Sequence, residues 1–229
     1  MIENLPSGKK IIFFSPHPDD DAFSSGAFLY SLSKKKNKIL TFYLTLSPRG
    51  VPFSHLSEKE KREIRKKEAK ESSKILGTKP IFLELDKPSF EISEKNIKII
   101  AQILKKEKPD FIFLPSKEEI HPTHKKCFYL IKKAIEKVKL KGFQEWRFEV
   151  WSPIPRPNFI FFFDRKLMKI KKEAIKKHSS QIKRINLEKA AEGLNLFRGI
   201  MGKEIMKGFA GFYPNQKKYG EAFFIKRHI

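Results

Sequence analysis

Ile11-Ile12-Phe13-Phe14-Ser15-Pro16-His17-Pro18-Asp19-Asp20-Asp21 is the stretch on which the reading of the whole chain turns. Four apolar residues in a row, Ile11 to Phe14, mark a short strand buried on both faces. Ser15 and Pro16 stop it. The next five positions hold an imidazole and three carboxylates, and Pro18 suits the first turn of a helix, where a missing N–H costs nothing. The acidic residues therefore fall at a helix N-terminus just past the C-terminal end of a strand, where open α/β sheets place their ligands. Acidic residues near a helix start also serve as plain caps that complement the dipole. One histidine with three aspartates directly after a buried strand goes beyond that need. In a helical first turn His17 and Asp20, three apart, share one side. They supply two of the three protein ligands of a catalytic zinc site.

Working outward, apolar strands alternate with helical patterns. A helix is predicted over Ser24–Lys36, a strand over Ile39–Leu46, and a turn-rich loop from Ser47 through His55. Glu58–Leu76 is a charged helix closed by Gly77. A strand at Ile81–Leu85, a helix over Ile92–Lys106 and a buried strand at Phe111–Leu114 follow. Such alternation means βαβ units and a mostly parallel sheet, a Rossmann-like three-layer α/β sandwich. After Phe111–Leu114 the first motif's plan repeats: a short loop, then His121-Pro122-Thr123-His124 opening a helix to about Val138. Two strand-end sites of one parallel sheet can converge on one crevice. Together they offer His17, Asp20 and one or both of His121 and His124, enough for a metal site with a position left open for water.

Beyond Gly142 the pattern changes. Strands are expected at Arg147–Trp151 and Asn158–Phe163, arranged as a hairpin or sheet edge around Pro153, Pro155 and Pro157. A long basic helix is expected from Lys166 to about Ile185, a further helix over Leu187–Phe197 and a last strand at Ala222–Ile225. No linker or repeat interrupts the chain. The expectation is a single domain over 1–229, with a core at about 8–140 and a C-terminal β/helical elaboration at about 141–229.

The 229 residues include 22 Phe and are 40% hydrophobic, so a large core is available. A single cysteine, Cys127, rules out an internal disulfide and a cysteine-built zinc cluster. No apolar run approaches membrane-spanning length and the first ten residues lack an apolar signal core, which reads as a cytoplasmic protein. Lys and Arg number 49 against 26 Asp and Glu, a formal charge of +23. The lysines fall in runs on helix faces, without the interleaved aromatics that stack nucleic-acid bases, so no nucleic-acid partner is expected. The excess would attract an anionic small molecule or glycoconjugate. Phe159–Phe163 and the Phe-rich C-terminus fit a homo-oligomer contact as well as a core.

At these residues the chain resembles the LmbE-like/PIG-L family of zinc-dependent de-N-acetylases. Its His-Pro-Asp-Asp-Glu motif is matched by His17-Pro18-Asp19-Asp20-Asp21, and its His-Pro-Asp-His motif by His121-Pro122-Thr123-His124. Arg65 and Glu68 with Leu76-Gly77, Val150-Trp151-Ser152-Pro153, His178-Ser179-Ser180-Gln181 and Gly220-Glu221-Ala222-Phe223 resemble further parts of it. The resemblance implies one Zn2+ per chain bound by His17, Asp20 and His124, with Asp19 as general base and His121 assisting the transition state. It implies removal of an acetyl group from an N-acetylglucosamine-type sugar or its conjugate. Asp21 stands where the family has Glu, Thr123 where it has Asp, and Leu46-Ser47-Pro48-Arg49-Gly50 where it often has Thr-Asp/Asn-Gly-Glu.

Arg49 in that loop is a candidate contact for substrate oxygens or a solvated turn residue. Arg65 is expected to pair with a carboxylate for structural reasons. His178 fits a packed helix histidine as well as a site residue, and His55 and His228 carry no signal. Two rival functions stand beside this one: a zinc amidase using the same site on another acyl group, and a non-catalytic basic binder of nucleic acid or anionic surfaces that keeps the fold but not the chemistry. A binder has no physical use for His17, Asp19, Asp20, His121 and His124 together.

Overall fold

The computed structural model describes residues 5–87, 89–207 and 218–229. In chain order the elements are β1 (Lys10–Ser15), α1 (Asp20–Ser33), β2 (Lys38–Tyr43), α2 (Glu58–Leu76), β3 (Lys79–Phe82), α3 (Glu94–Glu107), β4 (Phe111–Pro115) and α4 (Pro122–Val138). There follow β5 (Phe143–Phe148), β6 (Phe159–Phe163), α5 (Arg165–Lys176), α6 (Ser179–Ile182), α7 (Leu187–Lys207) and β7 (Tyr219–His228). One seven-stranded sheet runs β3-β2-β1-β4-β5-β7-β6. All neighbouring pairs from β3 to β5 are parallel, while β7 is antiparallel to both β5 and β6. The mostly parallel α/β sandwich expected from the sequence is therefore the fold.

Alternate residues of β1 feed opposite faces of the sheet, as its two-residue period requires. Ile11 and Phe13 join a cluster with α1, α5 and α7, including Phe28, Met168 and Ala191. Ile12 and Phe14 join a cluster with α3 and α4, including Ile100, Leu104 and Ile131. β1 has β2 on one side and β4 on the other, with Ile11 opposite both Ile39 and Phe111. The chain steps outward from β1 in one direction through β2 and β3, then returns to β1's other edge for β4. That reversal opens a crevice beyond the carboxyl ends of β1 and β4. His17 and His121 both lie on loops leaving those ends.

Several boundaries differ from expectation for visible reasons. α1 begins at Asp20 rather than Ser24. The strand expected at Arg147–Trp151 is β5, over Phe143–Phe148, because the amides of Val150, Trp151 and Ser152 turn to the Glu119 carboxylate instead of a ladder. β5 and β6 are not a hairpin: β7 lies between them and spans Tyr219–His228. The single helix expected over Lys166–Ile185 is two, broken at His178, whose ψ of 54° is not helical. Glu68 of α2 enforces the break by accepting the Ser180 N–H and the hydroxyls of Ser179 and Ser180. Phe161 and Phe163 are buried in the core. Phe209 and Phe212 of the Phe-rich C-terminus lie outside the described residues. Among those residues, no helix is long and apolar enough to cross a membrane.

A buried ion pair ties the C-terminal strands to the first helix. Lys171 of α5 and Glu221 of β7 are both fully buried, 2.7 Å apart. The two Glu221 oxygens also accept the N–H groups of Ala27 and Phe28, at 2.9 and 2.8 Å, in the middle of α1. Removing one charge of such a pair strands the other, at a cost of about 3–5 kcal/mol. Lys171→Met is therefore expected to lower stability by that amount in urea denaturation. The double variant with Glu221→Gln, which leaves no unpaired charge, is expected to regain much of the loss.

Candidate active site

The crevice is built by stitching the β1 loop to its neighbours. Ser15 Oγ donates to the His17 carbonyl at 2.7 Å, and Thr45, just past β2, donates through both N and Oγ1 to the Pro16 carbonyl. Asp20 then closes the loop on itself, its Oδ2 accepting the His17 N–H at 2.7 Å. The same Oδ2 lies 3.2 Å from His17 Nδ1 and 3.2 Å from His124 Nε2, and those two nitrogens are 3.0 Å apart. Residues 107 positions apart in sequence thus present three ligand atoms as a near-equilateral triangle.

That triangle fits a metal ion. Ligands at about 2.0–2.2 Å from a tetrahedral zinc stand about 3.3 Å from one another. His124 is fully buried, and its far nitrogen, Nδ1, lies 3.1 Å from Glu119 Oε2, the carboxylate–imidazole arrangement that orients a metal-binding histidine. Burial disfavours a charged His124, yet Asp20 and Glu119 outweigh it and raise its pKa to about 9. Asp20, for its part, is held well below the usual carboxylate range: burial opposes its charge, but His124 and His17 prevail. The cluster demands positive charge at its centre, and a divalent ion satisfies that demand in place of a proton.

His121 sits beside the triangle, its ring 5.0 Å from that of His17 and 4.9 Å from that of His124. One ligand atom from each of these three histidines lies within 4.8 Å of the others, so His121 is a geometric alternative to Asp20. Its Nδ1, however, caps α4 by accepting the Thr123 N–H at 3.2 Å. Burial, reinforced by His17 and His124, lowers its pKa to about 4. A neutral ring with Nδ1 accepting carries its proton on Nε2.

Asp19 is held separately from Asp20. Its Oδ1 accepts from Arg65 Nη2 at 2.8 Å. Burial pushes the carboxyl up, but the Arg65 guanidinium, with His178 and His17, brings it below its ordinary value, so Asp19 is ionised at neutral pH. Arg65, read from the sequence as a structural partner, thus grips a carboxylate that lines the crevice. Asp19 and Asp20 form part of the wall of a cavity of about 160 Å3 completed by Phe23, Val150, Trp151, Ile185, Leu187 and Ala190. Asp21 turns the other way, buried, and accepts the Tyr43 hydroxyl at 2.8 Å; burial raises its pKa to about 7.

Of the residues singled out in the sequence, His17, Asp19, Asp20, His121 and His124 meet in one place. Arg49 is exposed on a short 3-10 turn, Pro48–Gly50, and is not among the residues lining the cavity. That turn is tied to α6 through Gln181 Nε2 on the Gly50 carbonyl at 3.2 Å. Sequence reading missed Glu119, which lies against His124, and gave no site role to Trp151, which is quoted there only within a motif and forms a wall. The signal for Glu119 was there, two residues before His121, but a carboxylate in a loop has no pattern of its own.

His178 is fully buried, and neither ring nitrogen has a hydrogen-bond partner among the described residues. Burial dominates over the attraction of Asp19 and lowers its pKa to about 4, against 6.5 in an unfolded chain. Above pH 6.5 both states are neutral and the residue exerts no pH effect. As pH falls from 6.5 to 4 the unfolded chain takes up a proton that the folded one refuses, so stability drops by roughly 3 kcal/mol. His178→Gln is expected to remove this component, seen as a shallower fall of the urea midpoint between pH 6.5 and 4.

The family model for PIG-L, described as GlcNAc-PI de-N-acetylase, matches residues 12–135. A diacetylchitobiose deacetylase of Thermococcus kodakarensis is 26% identical over 190 residues, covering 76% of this chain and 70% of that protein. The structure of an N,N'-diacetylchitobiose deacetylase from Pyrococcus horikoshii, in complex with an inhibitor, superposes with a TM-score of 0.80 at 26% identity, over 95% of this chain and 84% of the other. The 4-carboxy-2-hydroxymuconate hydratase GalB of Pseudomonas putida, 18% identical with a TM-score of 0.77 over 95% of each chain, shares the fold. The family match spans more than half of the chain and contains every residue of the triangle, and the chain accordingly belongs to the PIG-L family of de-N-acetylases and is a hydrolase of that class.

Proposed function

We propose that the protein removes the acetyl group from the nitrogen of an N-acetylglucosamine-type sugar or its conjugate, with Zn2+ held by His17, Asp20 and His124. The observation that carries this reading is the Asp20 oxygen shared by the two imidazoles, 3.2 Å from each, with a separate ionised Asp19 beside it. Asp20 is preferred to His121 as third ligand because its oxygen is already in the triangle, whereas the His121 Nδ1 is engaged as a helix cap.

A divalent ion held by His17, Asp20 and His124 would supply a Lewis acid for the amide carbonyl and would bring the ionisation of water near neutral pH. The chain's own groups do the rest. Asp19, fixed by Arg65, accepts the proton of the attacking water as the new C–O bond forms. His121 donates from Nε2 to the carbonyl oxygen as negative charge gathers there; its neutral state gives it the role of hydrogen-bond donor rather than imidazolium. When the C–N bond breaks, Asp19 returns its proton to the leaving nitrogen, giving acetate and a free amine. Arg49, exposed on the loop after β2 and outside the cavity wall, would meet only the outlying oxygens of a substrate larger than the cavity, and the net charge of +23 favours an anionic conjugate.

An acetate-release screen over N-acetylglucosamine, chito-oligosaccharides, glycolipids and nucleotide sugars with zinc present tests the reading; a protein that binds zinc and releases acetate from none of them would overturn it. Chelation is expected to abolish turnover and added zinc to restore it. Asp19→Asn preserves the shape of the side chain and its contact with Arg65 but not its basicity. It should lower kcat by about a hundred- to ten-thousand-fold with one zinc still bound per chain by metal analysis.

A further inference from the structure

Trp151 is held in an unusual way. The amides of Val150, Trp151 and Ser152 donate in succession to Oε1 of Glu119, at 3.0, 3.1 and 3.0 Å. Ser152 Oγ accepts in turn from the Ile120 N–H at 3.1 Å. Glu119 is itself buried, and its second oxygen faces His124 Nδ1 at 3.1 Å. Yet Trp151, whose backbone is pinned so firmly, remains 46% exposed. One part of its surface rests on His121, with ring centroids 5.8 Å apart and planes 23° from parallel. It also walls the cavity that contains Asp19 and Asp20.

Burying a carboxylate and immobilising three residues costs desolvation and chain entropy. The core does not collect the return, because the ring points to water. The return lies in where the ring stands. A half-exposed aromatic face beside ionised and hydrogen-bonding groups is matched by a ring that is apolar on its C–H face and polar at its edge. A pyranose is such a ring: its axial C–H groups meet the π-surface while its hydroxyls stay wet. The apolar rest of the wall, Phe23, Val150, Ile185, Leu187 and Ala190, likewise receives C–H surface rather than hydroxyls.

We propose that Trp151 is the platform on which the pyranose ring of the substrate lies while its acetamido group reaches Asp19 and Asp20. Glu119 is the positioning residue that sets this platform and the His124 imidazole together. The proposal deepens the deacetylase reading above and rests on it for the identity of the ring. It makes one carboxylate answerable for both halves of the site, so that metal affinity and sugar affinity are coupled through a group that touches neither ligand.

Steady-state kinetics with N,N'-diacetylchitobiose and zinc calorimetry test it together. Trp151→Ala should raise KM ten-fold or more, with the loss carried by KM rather than kcat, and leave zinc affinity in place; Trp151→Phe should recover most of the KM. Glu119→Gln should weaken zinc binding about ten- to a hundred-fold and raise KM as well. The chain has two tryptophans, so Trp146→Phe leaves Trp151 as sole emitter, and adding N-acetylglucosamine should change its fluorescence saturably. An unchanged KM in Trp151→Ala, or a Glu119→Gln that loses metal alone, would overturn the proposal. Failure of the parent reading looks different: the wild type would release no acetate while the Trp151 emission still responds to sugar.

Discussion

One carboxylate oxygen, Asp20 Oδ2, is claimed by three groups at once: it accepts the His17 amide N–H and lies 3.2 Å from both the His17 Nδ1 and the His124 Nε2. Two of those claims are local and one comes from α4, across the point where the sheet reverses its direction of growth. The contact exists only because β1 and β4 are neighbours, register-locked from Ile11 opposite Phe111. A strand inserted between them would move the two histidines apart by roughly 5 Å, the spacing of adjacent strands, and dissolve the triangle. Much of the remaining architecture serves to hold that adjacency.

The site is layered around this contact by charge. Positive charge is wanted at the centre, where Asp20 and Glu119 converge on His124. Around it, Arg65 keeps Asp19 ionised and His121 is kept neutral by burial and by its imidazole neighbours. Carboxylates in consecutive positions thus take three different roles. Asp19 faces the cavity and an arginine, Asp20 faces two imidazoles, and Asp21 is turned into the core against Tyr43. A helix start explains this division: successive residues of the first turn point about 100° apart, so three adjacent side chains cannot share one environment.

The chain beyond Gly142 is built into the fold rather than appended to it. Its strands continue the same sheet, and the loop after β5 brings Trp151 to the cavity. The break at His178 lets Glu68 cap α6, which ties that helix to the one carrying Arg65. The Lys171–Glu221 pair fastens β7 and α5 to α1, the helix that begins at Asp20 with Asp19 just before it.

What the sequence determined by itself was the local grammar. Buried apolar runs, prolines and capping residues set the alternation of strands and helices, and the two His-Pro motifs fell just after buried strands because their chemistry is written in adjacent residues. From this the parallel sheet and the meeting of His17 and Asp20 with one or both of His121 and His124 were legible, and the resemblance carried by those motifs singled out the family and His124. Tertiary structure alone decided what depends on partners far along the chain. Arg65 belongs to Asp19, the long helix breaks at His178 because Glu68 lies opposite, and β5 ends early because Glu119 draws three amides away. Glu119 and Trp151 were invisible as a pair for the same reason. A hydrogen bond between residues 32 apart leaves no periodicity for a sequence to display, and its existence is settled by which strands pack side by side.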